Sequence, residues 1–158
     1  MYKALIMTGA LLMAAASPSF AALCSASVSV LAFGIYDTLL PNANDTAGTV
    51  QVTCIPGVAQ PLTTAYTITI AGTGAGADTV RAIVSGSYRL RYQIYKDAVR
   101  TIVWGNGSTS GAGVASSVTS IAALVPAAQT HTAYARMPAL QTVPPGIYAG
   151  SLLVTVDY

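Results

Sequence analysis

Apolar and polar residues alternate with a period of two in several separate stretches, and this regularity constrains the fold more than any other feature of the chain. Val28, Val30 and Ala32 alternate with Ser27, Ser29 and Leu31. Val50, Val52 and Cys54 alternate with Thr49, Gln51 and Thr53, and Tyr66, Ile68 and Ile70 with Thr67 and Thr69. Leu90, Tyr92 and Ile94 alternate with Arg89, Arg91 and Gln93; Leu152, Val154, Val156 and Tyr158 alternate with Leu153, Thr155 and Asp157. Successive side chains of an extended chain point to opposite faces, so each stretch reads as a strand with one face buried and one wet. The residue types, β-branched and aromatic, agree.

Turn-forming clusters separate these stretches: Pro41-Asn42-Ala43-Asn44-Asp45, Gly72-Thr73-Gly74-Ala75-Gly76-Ala77-Asp78, Gly105-Asn106-Gly107 and Pro144-Pro145-Gly146. Short strands at this spacing with Gly/Pro turns predict an antiparallel β-sandwich. Residues 107–128, rich in Ser, Gly, Ala and Thr, read as a long loop carrying one short strand near residues 118–124. No helical stripe and no internal repeat is visible beyond the N-terminus.

The N-terminus has its own logic. Lys3 is the only charge before Asp37, residues 4–16 are an apolar run, and Pro18 breaks any helix. Ser19 and Ala21 put small residues at −3 and −1 of a cut after Ala21, with Ala22 as the next choice. A run of about 13 residues is too short to span a bilayer and fits the apolar region of a cleavable signal peptide. The expected division is a signal peptide at 1–21 and one domain at 22–158. Removing 21 of the 158 residues leaves 137, enough to bury a substantial core. No later block is apolar enough for stable membrane insertion.

Without Lys3 the chain carries six Lys/Arg against five Asp and no Glu. So small a net charge gives no electrostatic case for nucleic acid or anionic lipid. Two cysteines in an exported chain, Cys24 and Cys54, predict one disulfide. Closing a loop of about 30 residues contributes roughly 3–4 kcal/mol in the chain-entropy model. Two thiols with no CxxC spacing and a single histidine, His131, do not make a metal site.

Chemistry finds little support. The glycines at 72, 74 and 76 lack the following helix that a phosphate loop needs, and read as a loop between strands. His131, the serines and the aspartates coexist without a nucleophile elbow, so His131 reads as a surface residue of a strand or loop. Asp45 and Asp78 read as turn residues. Asn44-Asp45-Thr46 and Asn106-Gly107-Ser108 match the glycosylation sequon, a short pattern that matters only in a eukaryotic secretory pathway. The many tyrosines read as residues at the edge of the core whose hydroxyls reach water. Nothing calls for a cofactor, and no convergent polar set suggests an enzyme.

Several blocks together are specific: Cys24 followed by Ala32-Phe33-Gly34-Ile35-Tyr36-Asp37; Gly48-Thr49-Val50-Gln51-Val52-Thr53-Cys54; Leu90-Arg91-Tyr92-Gln93-Ile94-Tyr95-Lys96-Asp97-Ala98; Val103-Trp104-Gly105-Asn106-Gly107; and Pro145-Gly146-Ile147-Tyr148 running into residues 154–158. In this order and spacing they resemble the spore coat protein U domain family. Asn106 stands where the family pattern usually has Asp, which keeps the turn chemistry and loses the charge.

That resemblance implies an immunoglobulin-like sandwich lacking its last strand, as in subunits of archaic chaperone–usher pili of Gram-negative bacteria. It implies a periplasmic chaperone, an outer-membrane usher and neighbouring subunits as partners, with transit through the periplasm to the cell surface. The missing strand would be supplied by another chain through β-strand addition. The sequence stops at Tyr158, at the end of an alternating strand, which fits such a gap. Val28 and Val30 on one side and Leu152, Val154, Val156 and Tyr158 on the other are the expected walls of the acceptor groove. The Tyr158 carboxylate is a candidate for capture by a basic chaperone residue. Only Ala22 and Leu23 precede Cys24 after the expected cut, too few for a donor strand of about five residues. The expectation is therefore an adhesive or structural subunit that accepts a strand and gives none, at a tip or minor position. The competing reading is a free-standing secreted module with a closed sandwich that binds a surface glycan or protein.

Overall fold

A computed structural model describes residues 22–57, 62–72, 81–108, 111–121 and 124–158. The expected signal peptide at 1–21, and most of the glycine-rich loop with Asp78, lie outside the described residues.

Among the described residues there is no helix, and eight strands follow one another: β1 (Leu23–Val28), β2 (Asn44–Ile55), β3 (Leu62–Gly72), β4 (Arg81–Ser85), β5 (Tyr88–Tyr95), β6 (Val114–Ser120), β7 (Ala127–Met137) and β8 (Leu152–Asp157). They form a five-stranded sheet of order β1-β2-β7-β5-β4 and a three-stranded sheet of order β6-β3-β8. Every pairing is antiparallel. The expected antiparallel sandwich is the observed fold.

The alternation creates the core. Val50, Val52 and Cys54 of β2 face Tyr66, Ile68 and Ile70 of β3, joined by Leu90, Tyr92 and Ile94 of β5 and by Ala133, Ala135 and Met137 of β7; all are buried. Burying a side chain of this size contributes about 1.5–3 kcal/mol. Trp104 is fully buried at the centre, and its indole N–H donates to the Ile68 carbonyl at 3.0 Å. Arg81 is also buried, with Nη2 donating to the carbonyls of Ile70 and Trp104 at 2.6 and 2.8 Å.

The structure corrects several expectations. The short strand near 118–124 lies at Val114–Ser120. β7 was unannounced because its inward residues are mostly alanine, a weak strand former. It is nevertheless central, paired with β2 over eleven positions. His131 belongs to β7 and is not a surface residue: it is half-buried between the sheets, where Nε2 lies 2.8 Å from the Tyr66 hydroxyl. Tyr66 itself is buried, so its hydroxyl reaches His131 and not open water. Asp45 is not in a turn. It sits in β2 directly opposite Arg136, whose Nε and Nη2 both donate to its carboxylate at 2.8 Å.

The first strand is displaced. The alternation placed it over residues 27–32, but β1 ends at Val28. Ser29 still donates its backbone N–H to Thr49 at 2.9 Å, yet its hydroxyl takes the Thr49 N–H at 2.7 Å. Side chains of β2 then hold the departing chain: Thr46 donates to the Ala32 carbonyl at 2.8 Å and Asn44 to the Phe33 carbonyl at 2.9 Å.

Candidate functional site: an open groove between the sheets

The site follows from what β8 lacks. β8 pairs with β3 alone, and its other edge has no strand partner among the described residues. Its inward residues Leu152, Val154 and Val156 pack on the core but remain only half-buried. On the adjacent β3 the corresponding side chains Tyr66, Ile68 and Ile70 are 3%, 0% and 2% exposed. The same alternation thus produces a sealed face on β3 and an unsealed face on β8.

Opposite the free edge of β8 runs the chain that has left β1. Between them lies a groove of about 280 Å³. Its floor is core: Val50, Ile70, Tyr92 and Ala133, with Ile83 beside them. One wall is residues 28–31 with Phe33, and the other is Gly150, Leu152 and Val154. None of the lining side chains is charged. Burial pushes the Tyr92 phenol above its ordinary value of 10.0, against the opposing effect of Arg81, so it too is neutral there.

Two glycines shape this slot. A Cβ on Gly48 would come within 3.0 Å of both Leu31 Cδ2 and Ser29 Oγ, so the missing side chain lets residues 29–31 lie against β2. A Cβ on Gly150 would meet Ile83 Cγ2 at 3.2 Å and the Ala82 carbonyl at 3.3 Å. Gly150 therefore allows the chain to pass tightly over β4 on its way into β8.

Of the residues expected to form the walls, Val28, Val30, Leu152 and Val154 line the groove. Val30 is 86% exposed, so it forms the rim, and Leu31 and Phe33 pack inward in its place. The phase of the alternation has slipped where the chain leaves the sheet. Val156 packs against the core without lining the groove, and Tyr158, 60% exposed, lies beyond it, with its hydroxyl 3.5 Å from the Cys24 carbonyl. Sequence reasoning missed Ile83, Gly48 and Gly150; the only signal for the two glycines was their place within or beside a strand. Cys24 and Cys54 are directly opposite one another on β1 and β2 and are joined by a disulfide with Cα atoms 4.1 Å apart. Among the described residues no three His, Cys, Asp or Glu side chains gather into a metal-binding group.

An apolar slot beside an unpaired strand edge, with core side chains as its floor, offers two things at once: backbone groups for a β-ladder and pockets for alternate side chains. The comparisons with known proteins bear on it. The Spore Coat Protein U domain model matches residues 10–155. No curated protein matches the chain. Among solved structures the chain is similar to one from the chaperone–tip adhesion subunit pre-assembly complex (CsuC–CsuE) of the archaic chaperone–usher Csu pili of Acinetobacter baumannii, with a TM-score of 0.57 and 18% identity. The match covers 87% of this chain and 40% of that one, so this chain spans well under half of the relative's length. At that identity the likeness is one of fold.

Proposed function

The chain belongs to the spore coat protein U domain family, and from that premise we propose that it is a structural subunit of a chaperone–usher type surface fibre, completed by a β-strand from another chain. The donor pairs with the free edge of β8 and lays apolar side chains at alternate positions into the groove, where they cover the half-buried Leu152 and Val154 above the floor of Val50, Ile70 and Ala133. Backbone hydrogen bonds supply affinity and the pockets supply register. A periplasmic chaperone occupies the groove first, a neighbouring subunit replaces it, and the usher is the place of exchange. Export by the segment at residues 1–21 puts the domain in the compartment where the disulfide forms.

The observation that carries this reading is the half-exposed inner face of β8 beside the buried Tyr66, Ile68 and Ile70 of β3. The other edge strand of that sheet, β6, buries Val118 and Ser120, so an edge position does not by itself account for the open face of β8.

The test is complementation. A peptide with Val or Ile at alternate positions is added to the purified protein, and a peptide of the same composition in shuffled order serves as control. Ligands that bind only the folded state raise the melting temperature in proportion to ln(1 + [L]/Kd). The alternating peptide is expected to raise it in a dose-dependent way and the shuffled one to leave it unchanged. Equal effects, or none, would contradict strand acceptance and favour a free-standing binding module.

A further inference from the structure

β7 is a central strand with part of one edge uncovered. On one side β2 pairs with it at all eleven positions, Ala127 to Met137. On the other side β5 reaches only Tyr134, Ala135 and Arg136, because β5 ends at Tyr95. From Ala127 to Ala133 that side of β7 has no strand partner among the described residues. Over this stretch β7 carries no proline, lysine, arginine or carboxylate, the residues that usually blunt an open edge.

Backbone bonds nearby fix which groups face the gap. Trp104 donates its N–H to the Ile94 carbonyl and Lys96 donates its own to the Ile102 carbonyl, both at 2.9 Å. Ile94 and Lys96 therefore turn their backbone away from β7, and Gln93 and Tyr95 turn theirs toward it. Their partners Arg136 and Tyr134 are thereby occupied, and the same alternation points the N–H and C=O of Thr132 and Thr130 into the gap. The Thr130 carbonyl takes only a long contact there, 3.5 Å from Gln129 Nε2.

A cleft of about 510 Å³ occupies the gap, between β7 and the start of β6. Among the residues lining it, Lys96 carries the one fixed charge and there is no carboxylate. The Lys96 side chain shares the inward face with Ile94, and its Nζ donates to the Gly113 carbonyl at 2.7 Å. That bond holds the ammonium across the cleft and engages one of its three protons. Arg100, by contrast, lies over the Tyr134 ring and approaches Asp45 at 3.4 Å, so it is already engaged elsewhere.

An open run of ladder groups beside a held ammonium is a site for an extended acidic chain. We propose that this edge accepts an extended segment of a partner protein, antiparallel and in line with β5, with a carboxylate side chain opposite His131. The ladder forms on Thr130 and Thr132. The residue opposite His131 shares its inward face, the face that Lys96 occupies, and meets that ammonium in a charge-assisted hydrogen bond. This edge adjoins β6, whereas the groove adjoins β8 at the other side of the three-stranded sheet, so either strand can bind without the other.

The experiment titrates the purified protein with a capped peptide, Thr-Val-Thr-Asp-Thr-Val-Thr, following amide resonances and hydrogen exchange. The amides of Thr130 and Thr132 are expected to shift and become protected, and those of residues 152–157 to stay unchanged. Asn in place of the peptide's Asp should bind about ten-fold more weakly, as loss of a charge-assisted bond requires. Lys96→Gln keeps a donor for Gly113; it should weaken the Asp peptide about ten-fold and bind both peptides alike. A peptide N-methylated at the residues that face Thr130 and Thr132 should not bind, which tests the ladder without altering the protein. Protection of the Thr130 and Thr132 amides in the protein alone, no response of these amides to the peptide, or a response confined to residues 152–157 would overturn the proposal. Equal binding of the Asn peptide, or unchanged binding by Lys96→Gln, would overturn the acidic assignment. Acetate that reproduces the shifts while both amides stay unprotected would replace the strand by a small anion, and that too overturns it.

Discussion

Ala149 exchanges two backbone hydrogen bonds with Val84, at 2.8 and 3.1 Å, at the outer edge of β4, and three residues later Leu152 is paired with Gly72 in the opposite sheet. One short segment therefore belongs to both layers. It ties the edge of the five-stranded sheet to the start of β8, with Gly150 and Leu152 lining the groove. Gly150 makes the crossing possible. Its substitution by Val would drive a side chain against Ile83 Cγ2 and the Ala82 carbonyl, and the carbonyl has no rotamer by which to yield. Gly150→Val is expected to cost about 1–3 kcal/mol, the usual penalty of overpacking, in a urea unfolding curve.

The disulfide ties the outermost strand to its neighbour in the sheet. Among the described residues β1 has β2 as its only strand partner. Replacing Cys24 and Cys54 by Ser together removes the covalent tie across a sequence separation of 30 residues. The expected loss is about 3–4 kcal/mol, read as a lower unfolding midpoint and a fall in periplasmic yield.

The partial burial of His131 beside Tyr66 makes stability sensitive to mild acid. Burial holds the His131 imidazole below its ordinary value of 6.5. The unfolded chain therefore takes up a proton more readily than the folded one. The contribution is fully present above about pH 6.5 and is lost as the pH falls through the lower folded value. Unfolding free energy measured between pH 7.5 and 5 should decline for the wild type and decline less for His131→Gln, which keeps a polar partner for Tyr66. Identical slopes would contradict the assignment.

A second, more acidic window belongs to Asp45. The hydrogen bond from Arg136 holds its carboxyl below the ordinary 3.8, against partial desolvation, with Arg100 adding to the effect. Its contribution is fully present above about pH 3.8 and disappears as the pH drops below it. Asp45→Asn should reduce this second decline, which Asp97, also held low, against desolvation, by hydrogen bonds from Ile102 and Thr101, shares, and leave the first untouched. Because the pair is exposed, a double-mutant cycle with Arg136→Gln should give only a weak coupling at pH 7, reduced further by added salt.

The strands that could be read in the sequence are those with large side chains on one face. Tyr66, Ile68 and Ile70 announce β3, and Leu152, Val154 and Val156 announce β8, because period-two alternation of bulky residues has no other economical solution. β7 could not be read this way, since its buried Ala133 and Ala135 are small and leave little hydrophobic contrast. The groove was half legible. β8 as a wall followed from its pattern, but the opposite wall depends on where the chain departs from β1, and that is set by the Ser29 hydroxyl, Thr46 and Gly48. Such contacts join residues 14 to 20 positions apart and leave no periodic trace. Asp45 was misread because its neighbours Pro41, Asn42 and Asn44 suggest a turn, whereas its partner Arg136 lies 91 residues away.

The central claim is that β8 presents an edge awaiting a strand, and amide hydrogen exchange tests it at the residues concerned. Along β8 the amides that face β3 are already bonded, whereas those between them face the open edge. In the protein alone the edge-facing amides should exchange far faster than their neighbours. With the alternating Val/Ile peptide bound, they should become protected to the level of the β3-facing set, together with slower exchange over residues 28–31. Protection of the edge-facing β8 amides in the protein alone, or peptide binding that leaves them unprotected, would contradict the account.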